Sequence, residues 1–352
     1  MALSKNKKLP VYVVGMVFLI FCIILGTSQG SVTVPFGTTM KILWQALWAG
    51  DYANLDDSFV TIVLQVRLPR VLLAALVGAS LSIAGAAFQG LLKNPLADPY
   101  TIGVSSGSAV GAVSVLFFGW SLPVIGTFTL PFISILSGFL TLLLLLAFVR
   151  FIEQSLATET IILAGIIVSS FLSAVISLII TFTGEELRQI ISWLMGSVAM
   201  RGWDYVWLML PFFIIGSLLL LANRSELNAL VFGEETAKTL GVNTGKRRFM
   251  ILAGASLLTG SAVASSGTIA FVGLVIPHLM RLLFGPDHRH LLPLSMCAGG
   301  GFLILTDLGA RTFIAPAEFP IGVITSIIGA PIFGILLYQQ KRRRAIIQRV
   351  RR

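Results

Sequence analysis

Three arginines, Arg67, Arg70 and Arg311, are the strongest candidates in this sequence for a site that binds carboxylates. Arg67 and Arg70 are three residues apart in the sequence RLPR, so a helix places both side chains on one face. Arginine forms directional, bidentate pairs with carboxylates, which suits a surface on which an acidic partner docks. The alternative is that these side chains reach lipid headgroups, or pair within the chain with Asp307 or Glu318.

A second candidate site lies in the longest polar segment, residues 223–248, which reads NRSELNALVFGEETAKTLGVNTGKRR. Helix-forming residues run from Glu234 to Leu240, and Gly241 is a typical stop signal. A short amphipathic helix between two membrane segments suits contact with a soluble partner, whereas the alternative is an ordinary solvated loop helix. The contact residues predicted for this helix are Glu234, Glu235, Ala237, Leu240 and Gly241.

The sequence contains no motif for catalysis or metal binding. The nearest match to a phosphate loop, GVNTGKR at 241–247, has three residues between its glycines where four are needed, and arginine where Ser or Thr would meet Mg²⁺. The three histidines, His278, His288 and His290, surround one loop, which with Asp287 is predicted to be solvated and not to bind a metal. We therefore predict no catalytic residue, no metal site and no cofactor bound by this chain.

The elements that must position these groups are membrane helices. Hydrophobic residues make up 56% of the 352 residues, charged residues only 11%, and the mean hydropathy is +0.93. A soluble chain would have about 25% charged residues. Apolar runs of about 20 residues cross a ~30 Å hydrocarbon core as helices, because lipid cannot satisfy backbone hydrogen bonds.

We predict an all-α membrane protein with about ten transmembrane helices, forming a single polytopic domain over residues 1–352. The predicted spans are 11–30, 67–92, 97–118, 128–150, 160–183, 203–222, 247–266, 269–284, 291–309 and 322–340. In the sequence GVSSGSAVG, Gly103, Gly107 and Gly111 have small-xxx-small spacing. This spacing lets helix backbones approach closely, so these glycines are predicted to pack helices and not to contact substrate.

The distribution of lysine and arginine predicts the orientation. With both termini in the cytoplasm, nineteen basic residues lie inside and six outside. The basic tails, 1–10 and 341–352, and the segment 223–248 then face the cytoplasm, where the net charge of +10 favours anionic lipid headgroups. Nucleic-acid binding is not predicted, because the basic residues are scattered among short loops. Charges within spans are scarce, which argues against an ion-coupled secondary carrier and against a membrane-embedded enzyme.

Several segments together resemble the FecCD family, the permeases of type II ABC importers for iron complexes and vitamin B12. The resemblance covers about residues 60–340. It is carried by RLPRVLLAALVGASLSIAGAAFQGLLKNPLADPYTIGVSSGSAVGAV (67–113), GEETAKTLGV, GTIAFVGLVIPHLMRLLFGPDHRHLLP (267–293) and EFPIGVITSIIGAPIFG (318–334).

The resemblance implies a type II ABC importer permease fold with ten spans per subunit, in a bacterial inner membrane. It also implies a second permease subunit, identical or different, with the translocation path between the two. Two ATPase subunits, which carry ATP and magnesium, would dock against the helix matching Glu234 to Val242. A substrate-binding protein would place its glutamates against Arg67, Arg70 and Arg311.

The resemblance further implies an inner gate near Thr158 and Glu159. Glu159 departs from the family pattern, because a small hydroxyl residue can occupy this position. The implied function is uptake of an iron complex, most commonly a ferric siderophore, with cobalamin or haem as alternatives.

Overall fold

The computed structural model describes residues 5–350, with gaps at 31, 49, 53, 154–157 and 314–316. These residues form helices and loops and no β-strand, which confirms the predicted all-α class. The α-helices are α1 (Lys5–Ser28), α2 (Phe36–Trp48), α3 (Asp57–Thr61), α4 (Leu68–Leu91), α5 (Val104–Phe118), α6 (Thr129–Ile152), α7 (Thr158–Thr181), α8 (Leu187–Leu194), α9 (Gly202–Ala222), α10 (Arg224–Val231), α11 (Glu234–Thr239), α12 (Thr244–Ser266), α13 (Val272–Phe284), α14 (His288–Thr312) and α15 (Ile321–Val350).

Seven helical segments among the described residues are long and apolar enough to cross a membrane. They are Pro10–Ser28, Asp57–Leu91, Gly126–Ile152, Thr158–Thr181, Gly202–Ala222, Thr244–Ser266 and His288–Thr312. Three shorter apolar helices, Val104–Phe118, Val272–Phe284 and Ile321–Leu336, occupy the other predicted spans. The helical membrane fold is therefore confirmed, whereas a total of ten crossings stays a prediction.

The centre of the fold is α4, which packs against α9, α12, α13 and α14. Small residues permit these contacts. A Cβ atom on Gly78 would lie 2.2 Å from Gly299 O, and one on Gly85 would lie 1.8 Å from Gly273 O. Lipid weakens the hydrophobic drive for helices to associate, so close van der Waals contact between small residues holds this core together.

The second span begins at Asp57, not at residue 67 as predicted. The Asp56 carboxylate accepts a hydrogen bond of 2.8 Å from a backbone N–H in the first turn, which starts the helix. A π-helical turn over Ile62–Arg67 then joins α3 to α4, just before Pro69, which has no backbone N–H to donate. Arg67 and Arg70 therefore lie within a continuous helical segment and not at its outer start.

The third predicted span, 97–118, is divided near its beginning. Pro99–Ile102 forms a 3₁₀ turn, and α5 begins only at Val104. Gly103 separates them with φ +87°, a left-handed conformation that favours glycine because it has no Cβ. The chain therefore turns at this position and does not continue as one helix.

The other two glycines of this motif lie where α5 meets α6. A Cβ on Gly107 would lie 2.0 Å from Thr141 Oγ1, and one on Gly111 would lie 2.5 Å from Ser137 Oγ. These two positions have the contacts of a small-residue helix interface. Gly103, in contrast, is required by its backbone conformation.

The candidate sites lie at two opposite ends of the bundle. At one end the start of α1 meets the start of α14, where the Tyr12 hydroxyl contacts His290 Nδ1. We name this the inner end, following the predicted orientation. At the other, outer end, Arg67 and Arg311 reach the last turn of α1.

Candidate functional site

Arg67 and Arg311 are buried at the C-terminal end of α1, where they bind backbone carbonyl groups. Their exposed fractions are 4% and 5%. Arg67 Nη1 donates to Ser28 O at 2.9 Å and to Thr27 O at 3.3 Å, and Arg311 Nη2 donates to Gly26 O. The last carbonyls of a helix lack partners within it and carry partial negative charge, so these guanidinium groups satisfy and neutralise them.

Arg70 lies between two carboxylates. Its Nε and Nη2 donate to Asp307 Oδ1 at 3.0 and 2.9 Å, while its Nη1 and Nη2 donate to the Glu318 carboxylate at 2.9 and 3.0 Å. Asp307 is fully buried, and the Glu318 side chain is 41% exposed. Arg311 Nε lies 3.4 Å from Asp307 Oδ2, so one buried carboxylate faces two arginines.

These contacts change the interpretation of the three arginines at the outer end, Arg67, Arg70 and Arg311, which we call the outer arginines. Pairing of Arg70 with Asp307 and Glu318 is the alternative that the sequence left open, and it is what the structure shows. Arg67 and Arg311 present almost no surface to a partner in this conformation. Docking of an acidic partner on the three arginines stays a prediction, and Arg70, which meets Glu318 at the surface, is best placed for it.

At the inner end, α11 is tied to α12. Glu234 accepts a hydrogen bond of 3.2 Å from Thr244 Oγ1 and pairs with Arg248 Nη2 at 3.1 Å. Ala237 is fully buried beneath the helix, and Gly241 has φ +81° just beyond its end. Because a buried side chain and an ion pair both attach α11 to the bundle, we expect a force on α11 to reach α12.

The outward face of α11 combines charged and apolar side chains. The Glu235 side chain is 88% exposed and Leu240 is 66% exposed. Next to them Phe232 is 76% exposed and Val231 is 43% exposed. Large apolar groups clustered on a polar segment indicate a surface that another protein covers. Phe232 and Val231 were not among the predicted contacts, although an apolar pair before Gly233 in a polar segment was a usable signal.

The predicted gate residues, Thr158 and Glu159, are the first two residues of α7. Thr158 is half-buried and Glu159 is exposed, and residues 154–157 just before them lie outside the described residues. Thr160 Oγ1 donates to Glu153 Oε2 at 2.7 Å, which joins the end of α6 to the start of α7. No described contact tests a gate role, which stays a prediction.

A line of exposed hydroxyl groups on α7 was not identified from the sequence. Ser170, Ser173, Ser177 and Thr181 are all exposed, and their spacing of three and four residues places them on one face. Ser177 Oγ donates to Ser173 O at 3.0 Å, and Thr181 Oγ1 donates to Ser177 O at 2.9 Å. Since the hydroxyl hydrogens of Ser177 and Thr181 are already bonded to the helix, the lone pairs of these two oxygens are available as acceptors. The spacing of Ser and Thr in an apolar span was the available signal.

The helix α7 is also the least covered of the seven long apolar segments among the described residues. Only 17% of its most apolar window is buried, against 83% for the Asp57–Leu91 segment. In α15, Ile327 and Ile335 are likewise 67% and 57% exposed. Hydroxyl groups are disfavoured against lipid tails, so this face of α7 indicates contact with water or with another subunit.

Comparisons with known proteins agree in family and fold. Residues 18–339 match the FecCD transport family. The uncharacterized ABC transporter permease protein YvrB of Bacillus subtilis is 56% identical over 338 residues, covering 96% of each chain. The molybdate import system permease protein MolB of Haemophilus influenzae is 41% identical over 322 residues, covering 90% of this chain and 91% of its own. A metal-chelate type ABC transporter solved in an inward-facing conformation has a TM-score of 0.81 and 36% identity, covering 94% of this chain and 99% of its own.

The match extends over nearly the whole chain and includes the segments that hold both candidate sites. Permease subunits of this class are not catalytic, and separate ATPase subunits hydrolyse ATP. The lack of a phosphate loop in the sequence agrees with this division. The chain is a multi-pass membrane protein that belongs to the FecCD transport family, as a permease subunit of a type II ABC importer.

Proposed function

We propose that this permease imports an iron complex, preferably a ferric siderophore, across a bacterial inner membrane. An extracytoplasmic binding protein delivers the complex, and two ATPase subunits that carry ATP and magnesium drive its transport. The permease itself binds no cofactor. The observation that supports this substrate class is the hydroxyl line on α7.

The hydroxyl line suits a bulky, uncharged or weakly charged chelate. Its side chains are small, so they leave room for a large cargo, and their lone pairs accept hydrogen bonds from the periphery of that cargo. No lysine or arginine occurs between Thr158 and Thr181, so α7 offers no positive charge to an oxyanion. The likeness to a metal-chelate type transporter supports the same class.

Molybdate is the second candidate cargo, because the relative MolB is a molybdate permease. Cobalamin and haem are also metal chelates, and the same path would accommodate them. A second permease subunit, covering the exposed faces of α7 and α15, completes the path in this proposal. The hydroxyl line then runs along the boundary between the two subunits.

Substitution of the hydroxyl line tests the substrate path. We expect Ser173→Leu and Ser177→Leu each to slow ferric siderophore uptake roughly fivefold to tenfold, because each removes an acceptor worth about 1 kcal/mol and adds bulk. The measurement is uptake of radiolabelled ferric siderophore into proteoliposomes that contain the complete importer. Unlabelled cobalamin, haem and molybdate serve as competitors.

The control is Leu178→Met, at an exposed position on the neighbouring face of α7. This change keeps side-chain volume, so uptake should stay as in the wild type. Equal uptake by all three variants would remove α7 from the path. Competition by molybdate but not by any metal chelate would refute the substrate class.

We place the ATPase contact on the outward face of α11. The exposed side chain of Leu240 lies at the end of this helix, and Glu234 joins the helix to α12 through Arg248. ATP-driven movement of the ATPase would pass through that ion pair to the membrane helices. Phe232 and Val231 extend the contact along the preceding turn.

Leu240→Glu is expected to weaken binding of the ATPase at least ~30-fold. The change removes apolar burial worth about 2 kcal/mol and places a charge in the contact. Pull-down of the ATPase by tagged permease, followed by titration, measures this effect. Glu235→Gln is the control on the same helix, and its 88% exposed side chain predicts at most a small change. Unaltered ATPase affinity in Leu240→Glu would place the contact elsewhere.

A further inference from the structure

A cavity of about 830 Å³ opens at the inner end, where α4 and α13 end and α14 begins. Three cationic residues, Lys93, Arg281 and Arg289, line it together with one carboxylate, Asp287. That carboxylate already accepts hydrogen bonds from Asn228 Nδ2 at 2.7 Å and from Arg289 N at 3.0 Å. Burial alone would raise the pKa of Asp287, but these hydrogen bonds hold it below its ordinary value. The cavity therefore has an excess of positive charge.

Among the three cations of the lining, Arg281 is the one with a guanidinium nitrogen that is buried without a partner among the described residues. Its Nη2 atom is inaccessible to solvent and has no hydrogen-bond partner among the described residues. No ion pair in the described part of the chain includes it. A guanidinium nitrogen buried without a partner carries a desolvation penalty, so an anion that pairs with Arg281 would reduce that penalty.

Two residues of the cavity lining, Gln89 and His288, have buried acceptor atoms. Gln89 donates through Nε2 to Leu274 O at 3.1 Å, which fixes its amide and leaves Oε1 without a partner. His288 Nδ1 lies 2.8 Å from Asn228 Oδ1, an oxygen that also accepts from His288 N. The neutral ring therefore has its proton on Nδ1 and its lone pair on Nε2. Gln89 and His288 are both 98% buried, and neither acceptor has a partner among the described residues.

Glycine at position 90 lets the end of α4 lie close against the His288 ring in the cavity lining. A Cβ at Gly90 would lie 2.2 Å from His288 Nε2. The cavity thus combines donors for an anion with acceptors for hydroxyl groups. His278, which is 96% buried, adds an Nδ1 that has no hydrogen-bond partner within the described part of the chain.

The geometry points to a binding site for a phosphate ester that carries free hydroxyl groups. The phosphate binds Arg281, with Lys93 and Arg289 at the exposed mouth of the cavity. The hydroxyl groups of the ester donate to Gln89 Oε1 and His288 Nε2. A choline headgroup is excluded, because it would place a second cation beside Arg281 and offer no hydroxyl donor.

Two sources share this chemistry, namely the glycerophosphate headgroup of an anionic lipid and a free glycerol or sugar phosphate. Leu282 and Leu283, next to Arg281 on the last turn of α13, are 55% and 66% exposed and offer contacts for acyl chains. Basic pockets between helices at the cytoplasmic membrane surface bind anionic headgroups, so we expect the lipid. Phe232 also lines the cavity, so a bound lipid would contact the segment that leads into α11.

Thermal unfolding of the purified full-length permease in detergent tests this site. A ligand that binds only the folded state raises the melting temperature as its concentration increases. Dihexanoyl phosphatidylglycerol is expected to raise it, and dihexanoyl phosphatidylcholine is not. Arg281→Gln is expected to weaken the phosphatidylglycerol affinity at least ~tenfold, because it removes a charge-assisted hydrogen bond.

A second variant keeps the test informative if Arg281→Gln does not fold. Lys93→Gln changes an exposed residue at the mouth and is expected to weaken the affinity about threefold. The matched control is Arg150→Gln, an exposed arginine in the last turn of α6 and outside the cavity lining, which should bind as the wild type does.

Further ligands identify the source and the hydroxyl contacts. Stabilisation by sn-glycerol 3-phosphate equal to that by the lipid would support the same chemistry with a free ester as ligand. Dihexanoyl phosphatidylmethanol has no hydroxyl group, so it is expected to bind several-fold more weakly. Equal binding of that lipid would refute the contacts with Gln89 and His288. The whole site would be overturned if no phosphate ester raised the melting temperature, or if both cavity variants matched the wild type.

Discussion

Replacing Gly85 by alanine is expected to separate α4 from α13 and to sharply lower the yield of folded permease. The added Cβ would lie 1.8 Å from Gly273 O and 2.6 Å from its carbonyl carbon. The obstructing atoms belong to the backbone, so no side-chain rotation can relieve the clash. We expect a cost of about 3 kcal/mol, the upper end of the usual range for overpacking. The melting temperature in detergent and the fraction that elutes as a single species measure it.

The matched control is Gly334→Ala, which adds the same methyl group to α15. A Cβ at Gly334 has no neighbour within 4 Å among the residues that the structure describes. Alanine is the better helix former by about 1 kcal/mol, so this variant should be as stable as the wild type or slightly more stable. Equal melting temperatures for the two variants would contradict the close approach of α4 and α13.

Asp307→Asn is expected to destabilise the outer end by about 3–5 kcal/mol, as when one partner of a buried ion pair is removed. The substitution keeps the shape of the side chain and removes the charge that Arg70 and Arg311 share. Two arginines would then remain near the membrane boundary without a buried carboxylate. Thermal unfolding in detergent, with limited proteolysis of the segment around Glu318, measures the effect.

Glu318→Gln is the control within the same network. Its side chain is 41% exposed and contacts Arg70 only at the surface, so we expect a loss of about 1 kcal/mol or less. An equally large loss in both variants would show that burial does not determine the strength of these pairs.

The same control variant tests the proposed docking of the binding protein. If carboxylates of the binding protein take the place of Glu318 on Arg70, Glu318→Gln removes an internal competitor and should raise the docking affinity several-fold. Biolayer interferometry with the importer in nanodiscs measures this change. An unchanged or lower affinity would argue against docking through Arg70.

The inner-end helix could be predicted because its determinants are local. Helix formers from Glu234 onwards and a glycine stop at Gly241 define it within a few residues, and α11 is observed over Glu234–Thr239. The predicted start of the second span, in contrast, was wrong. Asp56 is a regular N-cap, but the polar residues around it concealed a helix that reaches the apolar run through a π-helical turn.

The hydroxyl line on α7 could be predicted only in part from the sequence. Its spacing is visible in the sequence, but serine is also common where membrane helices pack against each other. Only the structure shows that Ser170, Ser173 and Ser177 are exposed and that α7 is poorly covered. Burial distinguishes a packing serine from one that faces a path or a partner.

By itself, the sequence determined that the chain lies in a lipid bilayer, that it is helical and that it contains no phosphate loop. Each of these conclusions depends on composition or on neighbouring residues. Only the tertiary structure decided what the outer arginines do. Arg70 binds Asp307, which is 237 positions away in the sequence, and Arg311 binds the Gly26 carbonyl, which is 285 positions away. A charge near a membrane must find a partner, but whether that partner belongs to the same chain depends on which helices lie side by side.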